Sequence, residues 1–201
     1  MSDLVEVRDQ TLSLDQVETN TRYINCQFTV SNLPIRLMDV IFERCQFEQS
    51  NFDEAELVHV ELDHVQLVNT SWRQTRWYDC QASNVQLAGG DFSGAIFKQT
   101  RFTASKLTYA NFSEAQLTSS QLIDCELSES VFQVVTIKQG LSFNGSRLTD
   151  ADFTETRLAG VDWHNAEFET LRVSADLIRG LIVNEFQAAQ LIGLFGVEIQ
   201  S

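Results

Sequence analysis

The chain has 201 residues, of which 43% are hydrophobic, and its 28 acidic and 14 basic residues give a formal net charge of −14. This length suits one domain with a sizeable core, and the apolar content argues against a disordered chain. The negative charge argues against nucleic acid and anionic membranes as direct partners, since both require a basic face, and it favours a basic protein.

The first twenty residues carry a weak apolar pattern. It consists of Leu4, Val7, Leu12, Leu14 and Val17. We predict that residues 1–20 form an N-terminal cap over the body of the fold. The opening MSDLVEVRDQ lacks the basic and apolar regions of a signal peptide, and no apolar run approaches the ~20 residues that span a bilayer. The expected location is therefore the cytoplasm.

A strict five-residue rhythm fills residues 21–175. A large apolar residue recurs at every fifth position from Leu37 to Ile137, with Ala82 as the only small member of the series. The same rhythm runs upstream at Tyr23, Phe28 and Leu33, and downstream, shifted by one, from Phe143 to Val173. The residue two positions before each large one is compact, as at Cys45, Ser50 and Ala55.

Neither an α-helix nor a plain strand keeps a period of five on one face, whereas a square coil does. If five residues form one side, the large and compact residues point inward and twenty residues close a turn. Stacked turns then pair as parallel strands about 4.8 Å apart. We therefore predict an all-β, right-handed quadrilateral β-helix of 7–8 coils, with a rod about 36 Å long and one short C-terminal α-helix.

A period of twenty supports four sides per turn. It predicts a stacked core ladder of aromatic rings, formed by Phe52, Trp72, Phe92, Phe112, Phe132 and Phe153. On the outside it aligns Arg36, Glu56 and Arg76, and beside them Asp39, His59 and Asp79. We interpret these two columns as charge ladders. A metal site at His59 is the alternative, and it lacks the supporting ligands that metal sites need.

After Val173 the rhythm ends, and residues 176–201 are predicted to form a C-terminal capping and dimerisation segment. Asn184 with Gln187 indicates a helix start, and Gly196 indicates its end. Apolar residues cover more of this helix than one coil end can bury, so we expect a second copy to cover the surplus. The predicted dimerisation residues are Phe186, Ala189, Leu191, Ile192, Leu194, Phe195 and Val197.

No catalytic or cofactor motif is present in the sequence. It contains no nucleophile elbow, phosphate-binding loop, zinc-protease motif or dinucleotide fingerprint. The four cysteines (Cys26, Cys45, Cys80 and Cys125) have neither CxxC nor metal-finger spacing, which indicates free, buried thiols. We therefore predict no enzyme activity, no metal and no cofactor.

Acidic residues are frequent in the first regular coils. They are Glu43, Glu48, Asp53, Glu54, Glu56, Glu61 and Asp63. We predict that they form an acidic, partner-binding face. A solvated surface that only keeps the rod soluble is the alternative.

Tandem units such as Ser50-Asn51-Phe52, Ala110-Asn111-Phe112 and Ala151-Asp152-Phe153 resemble the A(D/N)LXX pattern of the pentapeptide-repeat family. The tail resembles the C-terminal end of the Qnr quinolone-resistance proteins. It contributes Asp162-Trp163, Ala166-Glu167-Phe168, Arg179-Gly180, Gln187-Ala188, Leu191 and Gly196-Val197-Glu198-Ile199. The unbroken register is similar to that of the loop-free MfpA-type members.

This resemblance implies a non-catalytic homodimer, joined through its C-terminal ends, that protects DNA gyrase and topoisomerase IV from quinolones by imitating duplex DNA. Two alternatives remain open. One is an immunity protein against a gyrase-directed peptide toxin, and the other is a scaffold rod that binds an unrelated protein.

Overall fold

The fold was examined in a computed structural model that describes residues 4–198. Residues 1–3 of the predicted cap and residues 199–201 of the predicted tail, including Ile199, lie outside the described residues. The strands, numbered in chain order, are β1 Val5–Arg8, β2 Thr11–Ser13, β3 Thr21–Ile24, β4 Gln27–Thr29, β5 Arg36–Glu43, β6 Gln46–Phe47, β7 Glu56–Asp63, β8 Arg76–Tyr78, β9 Gln81–Ser83, β10 Ile96–Lys98, β11 Arg101–Thr103, β12 Gln116–Ile123, β13 Thr136–Ser142, β14 Ala151–Phe153, β15 Val161–Asp162 and β16 Leu171–Val173. A 3₁₀ turn spans Leu14–Gln16, and helix α1 spans Glu185–Leu194.

These strands stack in parallel as a β-solenoid of about eight turns, which confirms the predicted β-helix with its short C-terminal helix. The pairing defines four faces. Face A contains the positions aligned with Arg36, Glu56, Arg76 and Ile96. Face B contains those aligned with Ile41, Glu61, Gln81 and Arg101. Face C contains those aligned with Gln46, Gln66, Gln86 and Lys106, and face D those aligned with Asn51, Ser71, Asp91 and Asn111.

The spacing between paired residues departs from twenty near the two ends. Val5 pairs with Thr21, and Tyr23 pairs with Phe42, so the first coils are short. Glu126 pairs with Arg147, so one residue is inserted in the coil that contains Gly140. Strands β1 and β2 continue the parallel stack onto β3 and β4. The boundaries of separate end segments at residues 20 and 176 stay predictions.

The large residues of the five-residue series line the interior of the rod. Every member from Leu57 to Phe132 is at most 3% exposed. Leu33 is an exception, since it is 64% exposed where the series predicts an inward side chain. The chain irregularity at Pro34 places half-buried Ile35 against the core instead.

A second exception lies at the corner before Phe52. Gln49 is buried there and Ser50 is exposed, the reverse of the predicted pattern. The Gln49 amide oxygen accepts a hydrogen bond from the Ser31 N–H at 3.1 Å, and its amide N–H donates to the Asn51 carbonyl. A long side chain is therefore accommodated inside because both of its polar atoms find backbone partners.

The six aromatic rings of the twenty-residue column stack along the rod. Their planes differ by between 2° and 16°, and neighbouring centroids lie between 4.0 and 6.2 Å apart. The shortest separation joins Phe52 and Trp72, and the longest joins Trp72 and Phe92. Nearly parallel rings buried in one column combine a large area of apolar burial with favourable ring contacts.

Most corners of the coil hold a residue in the left-handed backbone region, and the corner at Gln49 is an exception. Positive φ values recur every five residues, as at Asp39 (52°), Arg44 (53°) and Glu54 (61°). Asp, Asn and Gly fill many of these corners because they adopt this conformation at low cost. Val134, with φ of 57°, is a β-branched residue at such a corner, so its backbone is strained.

The three tryptophans differ in how their buried indole N–H is satisfied. Trp72 donates to the Thr70 hydroxyl at 2.7 Å, and Trp77 donates to the Thr75 hydroxyl at 3.0 Å. Each acceptor lies two residues before its tryptophan. At Trp163 that position holds Val161, and the Trp163 indole nitrogen has no hydrogen-bond partner among residues 4–198.

We expect Val161→Thr to raise the free energy of unfolding by about 1 kcal/mol, because the new hydroxyl would accept from the Trp163 N–H. Thr75→Val, the inverse change at a matched site, should lower it by about 1–3 kcal/mol. Urea denaturation followed by tryptophan fluorescence measures both. A loss of stability in Val161→Thr would contradict the proposed pairing.

Candidate partner-binding surfaces

The seven acidic residues predicted to form one face do not share a face. Glu43, Glu61 and Asp63 lie on face B. Glu48 belongs to face C, Asp53 to face D and Glu56 to face A, while Glu54 occupies the corner between D and A. The single-face prediction is wrong because neighbouring units in the chain turn a corner every five residues. They form a girdle around the rod, and their role in binding stays a prediction.

Glu43 is also less available than the sequence indicates. Its side chain is 12% exposed and pairs with Arg22 at 2.5 Å and with Arg44. The hydrogen bond from Arg22 holds the pKa of the Glu43 carboxyl below its usual value. At Asp63, burial raises the pKa, but hydrogen bonds from His64 and Asn84 outweigh it, so the pKa of this carboxyl is lowered. The charge of Glu43 is therefore largely neutralised by Arg22 and Arg44 of its own chain.

Acidic side chains accumulate on the adjacent faces C and D near the two ends of the rod. Face C and its edge with D carry Glu48, Glu126, Glu129, Asp150, Glu167 and Glu169. Face D and its edge with A carry Asp53, Glu54, Asp91, Glu114, Asp152 and Glu155. The basic residues on these two faces are Arg73, Lys106, Arg147 and Arg172. Faces C and D together form the acidic surface of the molecule. The order of charges along the chain does not reveal this surface, whereas comparing residues about twenty positions apart does.

Three of these four basic residues are paired within the surface. Arg73 lies 3.5 Å from Asp91, Arg147 lies 3.5 Å from Glu126, and Arg172 lies 3.5 Å from Asp152. At Asp152, burial raises the pKa, but hydrogen bonds from Thr154, Gln133 and Arg172 together lower it by more. The pKa of this carboxyl is therefore below its usual value. Asp152 therefore keeps its negative charge in more acidic solution than an ordinary aspartate does.

The C-terminal end presents an apolar surface. Phe186 is 73% exposed, and Ile192, Leu194, Phe195 and Val197 are also exposed. Ala189 is half-buried. Leu191 is 5% exposed and belongs to the core, so its prediction as a dimerisation residue is wrong. It occupies the inner side of the helix, which packs on the last coil.

Helix α1 begins and docks as its sequence predicts. Asn184 and Gln187 form a reciprocal capping box, and the helix ends at Leu194, just before Gly196 with φ of +77°. The Gln187 amide also donates to the carbonyls of Trp163 and Ala166, at 2.7 and 2.6 Å. The helix is therefore fixed on the rod while its outer apolar side remains exposed.

The four cysteines are free and buried. Burial raises the pKa of the Cys45, Cys80 and Cys125 thiols to about 11, so they carry almost no thiolate at neutral pH. His59 lies 2.9 Å from Asp39 and 4.0 Å from Asp79. Within residues 4–198 no group of three or more His, Cys, Asp or Glu residues could hold a metal ion.

None of the helices between residues 4 and 198 is long and apolar enough to cross a membrane.

A four-sided solenoid of stacked five-residue units identifies the molecule as a repeat protein, and a comparison with known protein families identifies the repeat. The profile of pentapeptide repeats matches residues 61–99, 95–133 and 140–169, with eight copies of the repeat. These ranges cover more than half of the chain. The chain belongs to the pentapeptide-repeat family, as its sequence predicts.

The solved structures that resemble the chain include those of QnrB1 and HetL. A trypsin-treated form of QnrB1, a plasmid-mediated fluoroquinolone resistance protein, is 20% identical with a TM-score of 0.53, and the match covers 98% of each chain. HetL, a pentapeptide-repeat protein involved in heterocyst differentiation regulation in the cyanobacterium Nostoc, is 16% identical with a TM-score of 0.46, and the match covers 90% of this chain and 86% of HetL. No curated protein sequence matches. At these identities the similarity concerns the fold.

Proposed function

We propose that this protein imitates duplex DNA, binds DNA gyrase and the related topoisomerase IV in the cytoplasm, and protects them from quinolones without catalysing a reaction. The observation that carries the proposal is the charge of the rod. The 20 acidic and 12 basic residues of positions 21–175 give a net charge of −8 over about 36 Å, or about one charge per 4.5 Å, whereas duplex DNA carries one per ~1.7 Å. A basic DNA-binding groove that attracts one rod attracts the other.

The distribution of charge supports this proposal further. Faces C and D together carry twelve acidic residues against four basic ones. The acids are concentrated in residues 48–54 and 126–169, whereas the coils between them carry Asp91 and Glu114 against Arg73 and Lys106. Face A differs, because Arg76, Lys98 and Lys138 lie along it. A groove that encloses one side of a DNA duplex would therefore contact faces C and D.

The exposed apolar end supports a homodimer joined through helix α1. Large apolar side chains there, with Phe186 73% exposed, are unfavourable in water and mark an interaction surface. A second copy is the simplest partner, because a twofold axis brings the same surface of both copies together. Such a dimer would be a rod about 72 Å long.

A supercoiling assay with gyrase and ciprofloxacin tests the proposal. We expect this protein to raise the ciprofloxacin concentration that halves supercoiling by about tenfold or more. Reversal of Glu114, Glu129 and Glu169 to Lys, on faces C and D and their edges, should remove most of this protection. A matched control reverses Asp9, Asp79 and Asp124, which lie at the corners of face B with faces A and C, and it should keep most of the protection.

The other outcomes separate the alternatives. If protection survives both reversals unchanged, DNA imitation is wrong even though gyrase is the target. Protection against a gyrase-directed peptide toxin, with none against ciprofloxacin, would identify an immunity protein. A protein that changes neither gyrase activity nor drug inhibition at large excess would be a scaffold for another partner.

A further inference from the structure

Face A carries three parallel columns over three successive coils. The charged column contains Arg36, Glu56 and Arg76. The apolar column contains Met38, Val58 and Tyr78. The corner column, at the edge with face B, contains Asp39, His59 and Asp79. An apolar strip between two polar columns is the usual composition of a protein interface.

The groups on this face are available for a partner. Met38 is 50% exposed, and Val58 and Tyr78 in the same column are half-buried. Within residues 4–198, none of Arg36, Glu56 and Arg76 forms an ion pair within 4.0 Å. None of the three charges is therefore held in a close ion pair within that part of the chain, although they alternate in sign along the column.

We infer that face A of one rod binds face A of a second copy, with the two rods side by side and parallel. A twofold axis that runs along the rods places the charged column of one copy opposite the corner column of the other, level by level. Arg36 then meets the partner's Asp39, and Arg76 meets the partner's Asp79. Glu56 meets the partner's His59, whose Nδ1–H donates to Asp39 of its own chain at 2.9 Å, so its Nε2 edge is what faces Glu56.

Charge decides between this arrangement and the antiparallel one. With the rods antiparallel, the charged column would oppose itself in reverse order. Arg36 would then meet the partner's Arg76, and Glu56 would meet the partner's Glu56, so every contact would join like charges. The parallel arrangement makes every contact complementary and brings the two apolar columns together at the centre. In the same register the face is therefore complementary to itself only in the parallel orientation, and an antiparallel pair shifted by one coil, which joins Arg36 to the partner's Glu56, is the competing arrangement.

The size of the face predicts weak association. Four residues across and three coils along give about 13 Å by 14 Å, or about 200 Å² per copy, against the ~800 Å² of a stable dimer. We therefore expect a pair that forms at high protein concentration and needs to be trapped. It differs from the association through helix α1, since that contact places the two copies of Met38 at opposite ends of the dimer.

Cysteine cross-linking of the full chain tests the inference. Met38→Cys should form a disulfide-linked pair under oxidised glutathione, which takes up the two electrons and two protons of the thiols. The matched control is Val68→Cys on face C, because Val68 has the same exposure of 50%. It should form at least about tenfold less linked product. The native cysteines are buried and do not compete.

Inversion of one column isolates the electrostatic contribution. In the Met38→Cys background, the triple change Arg36→Glu, Glu56→Arg and Arg76→Glu keeps alternating charge within its own column. Across the parallel pair, however, the triple change places like charges opposite each other, so the linked product should fall about tenfold. Adding Asp39→Arg, His59→Glu and Asp79→Arg inverts the second column too and should restore the product. Arg44 and Glu54 already occupy such corners, so the fold tolerates these residues.

Two results would overturn the inference. One is equal cross-linking by Met38→Cys and Val68→Cys, which would reflect random collision. The other is a mixed product of the Met38→Cys chain with a Tyr78→Cys or a Val58→Cys chain that exceeds the product of each chain with itself, because only antiparallel rods bring position 38 beside position 78 or, shifted by one coil, beside position 58. Circular dichroism of the inverted variants confirms that a lost product reflects lost association and not an unfolded chain.

Discussion

Phe112→Ala should lower the free energy of unfolding by about 3–5 kcal/mol, the largest effect that we expect from a single substitution. The Phe112 ring is fully buried and stacks on Phe92 at 5.0 Å and on Phe132 at 4.8 Å. Its removal leaves a cavity at the centre of the column, and the coils above and below cannot close on it because their backbones are fixed by hydrogen bonds. Urea denaturation followed by circular dichroism measures the loss.

Two further variants separate cavity formation from a general effect of losing an aromatic ring. Phe112→Leu keeps most of the volume and should cost less than half as much. Tyr109→Ala removes a ring that is 59% exposed in the same coil, and its cost should stay below about 1 kcal/mol. A cost below 1 kcal/mol for Phe112→Ala would contradict the role of the ladder as the core of the rod.

The period of five predicted the core because each side of the square coil directs the same positions inward. Even Ala82, the one small member of the series, is fully buried. Phe102 is its partner in the next coil, and the ring centroids of Phe102 and Trp77 lie 5.9 Å apart. The prediction failed at Leu33 and Ser50, where the chain leaves the period. Pro34 marks that irregularity in the sequence, but the local pattern does not show which neighbouring side chain turns inward.

The binding surfaces were less predictable than the core. Charges that are close in the chain, such as Glu54, Glu56 and Glu61, lie on different faces, whereas charges about twenty residues apart share one. The inserted residue between Glu126 and Arg147 also shifts every later column by one. The burial of Leu191 was not predicted for a similar reason, because the apolar sequence of the helix does not show which of its sides packs on the rod.

A double change of Phe186→Asp and Phe195→Asp should separate the proposed C-terminal dimer into monomers. Burying a phenylalanine side chain contributes about 1.5–3 kcal/mol, so the two together predict an increase in the dissociation constant of about 100-fold or more. The carboxylates would also be placed in an apolar interface without partners, which is unfavourable. Sedimentation velocity over a range of protein concentrations measures the change.

The folded monomer should be unaffected, because the two side chains are 73% and 41% exposed and α1 is held by Gln187 and Leu191 on its other side. Tyr109→Asp, which places the same charge on an exposed aromatic position far from the helix, is the control and should leave association unchanged. If the double variant associates as tightly as the parent chain, helix α1 is not the interface. The rod would then act as a single copy or associate through another face, and its acidic surface would be half as long as that of the proposed dimer.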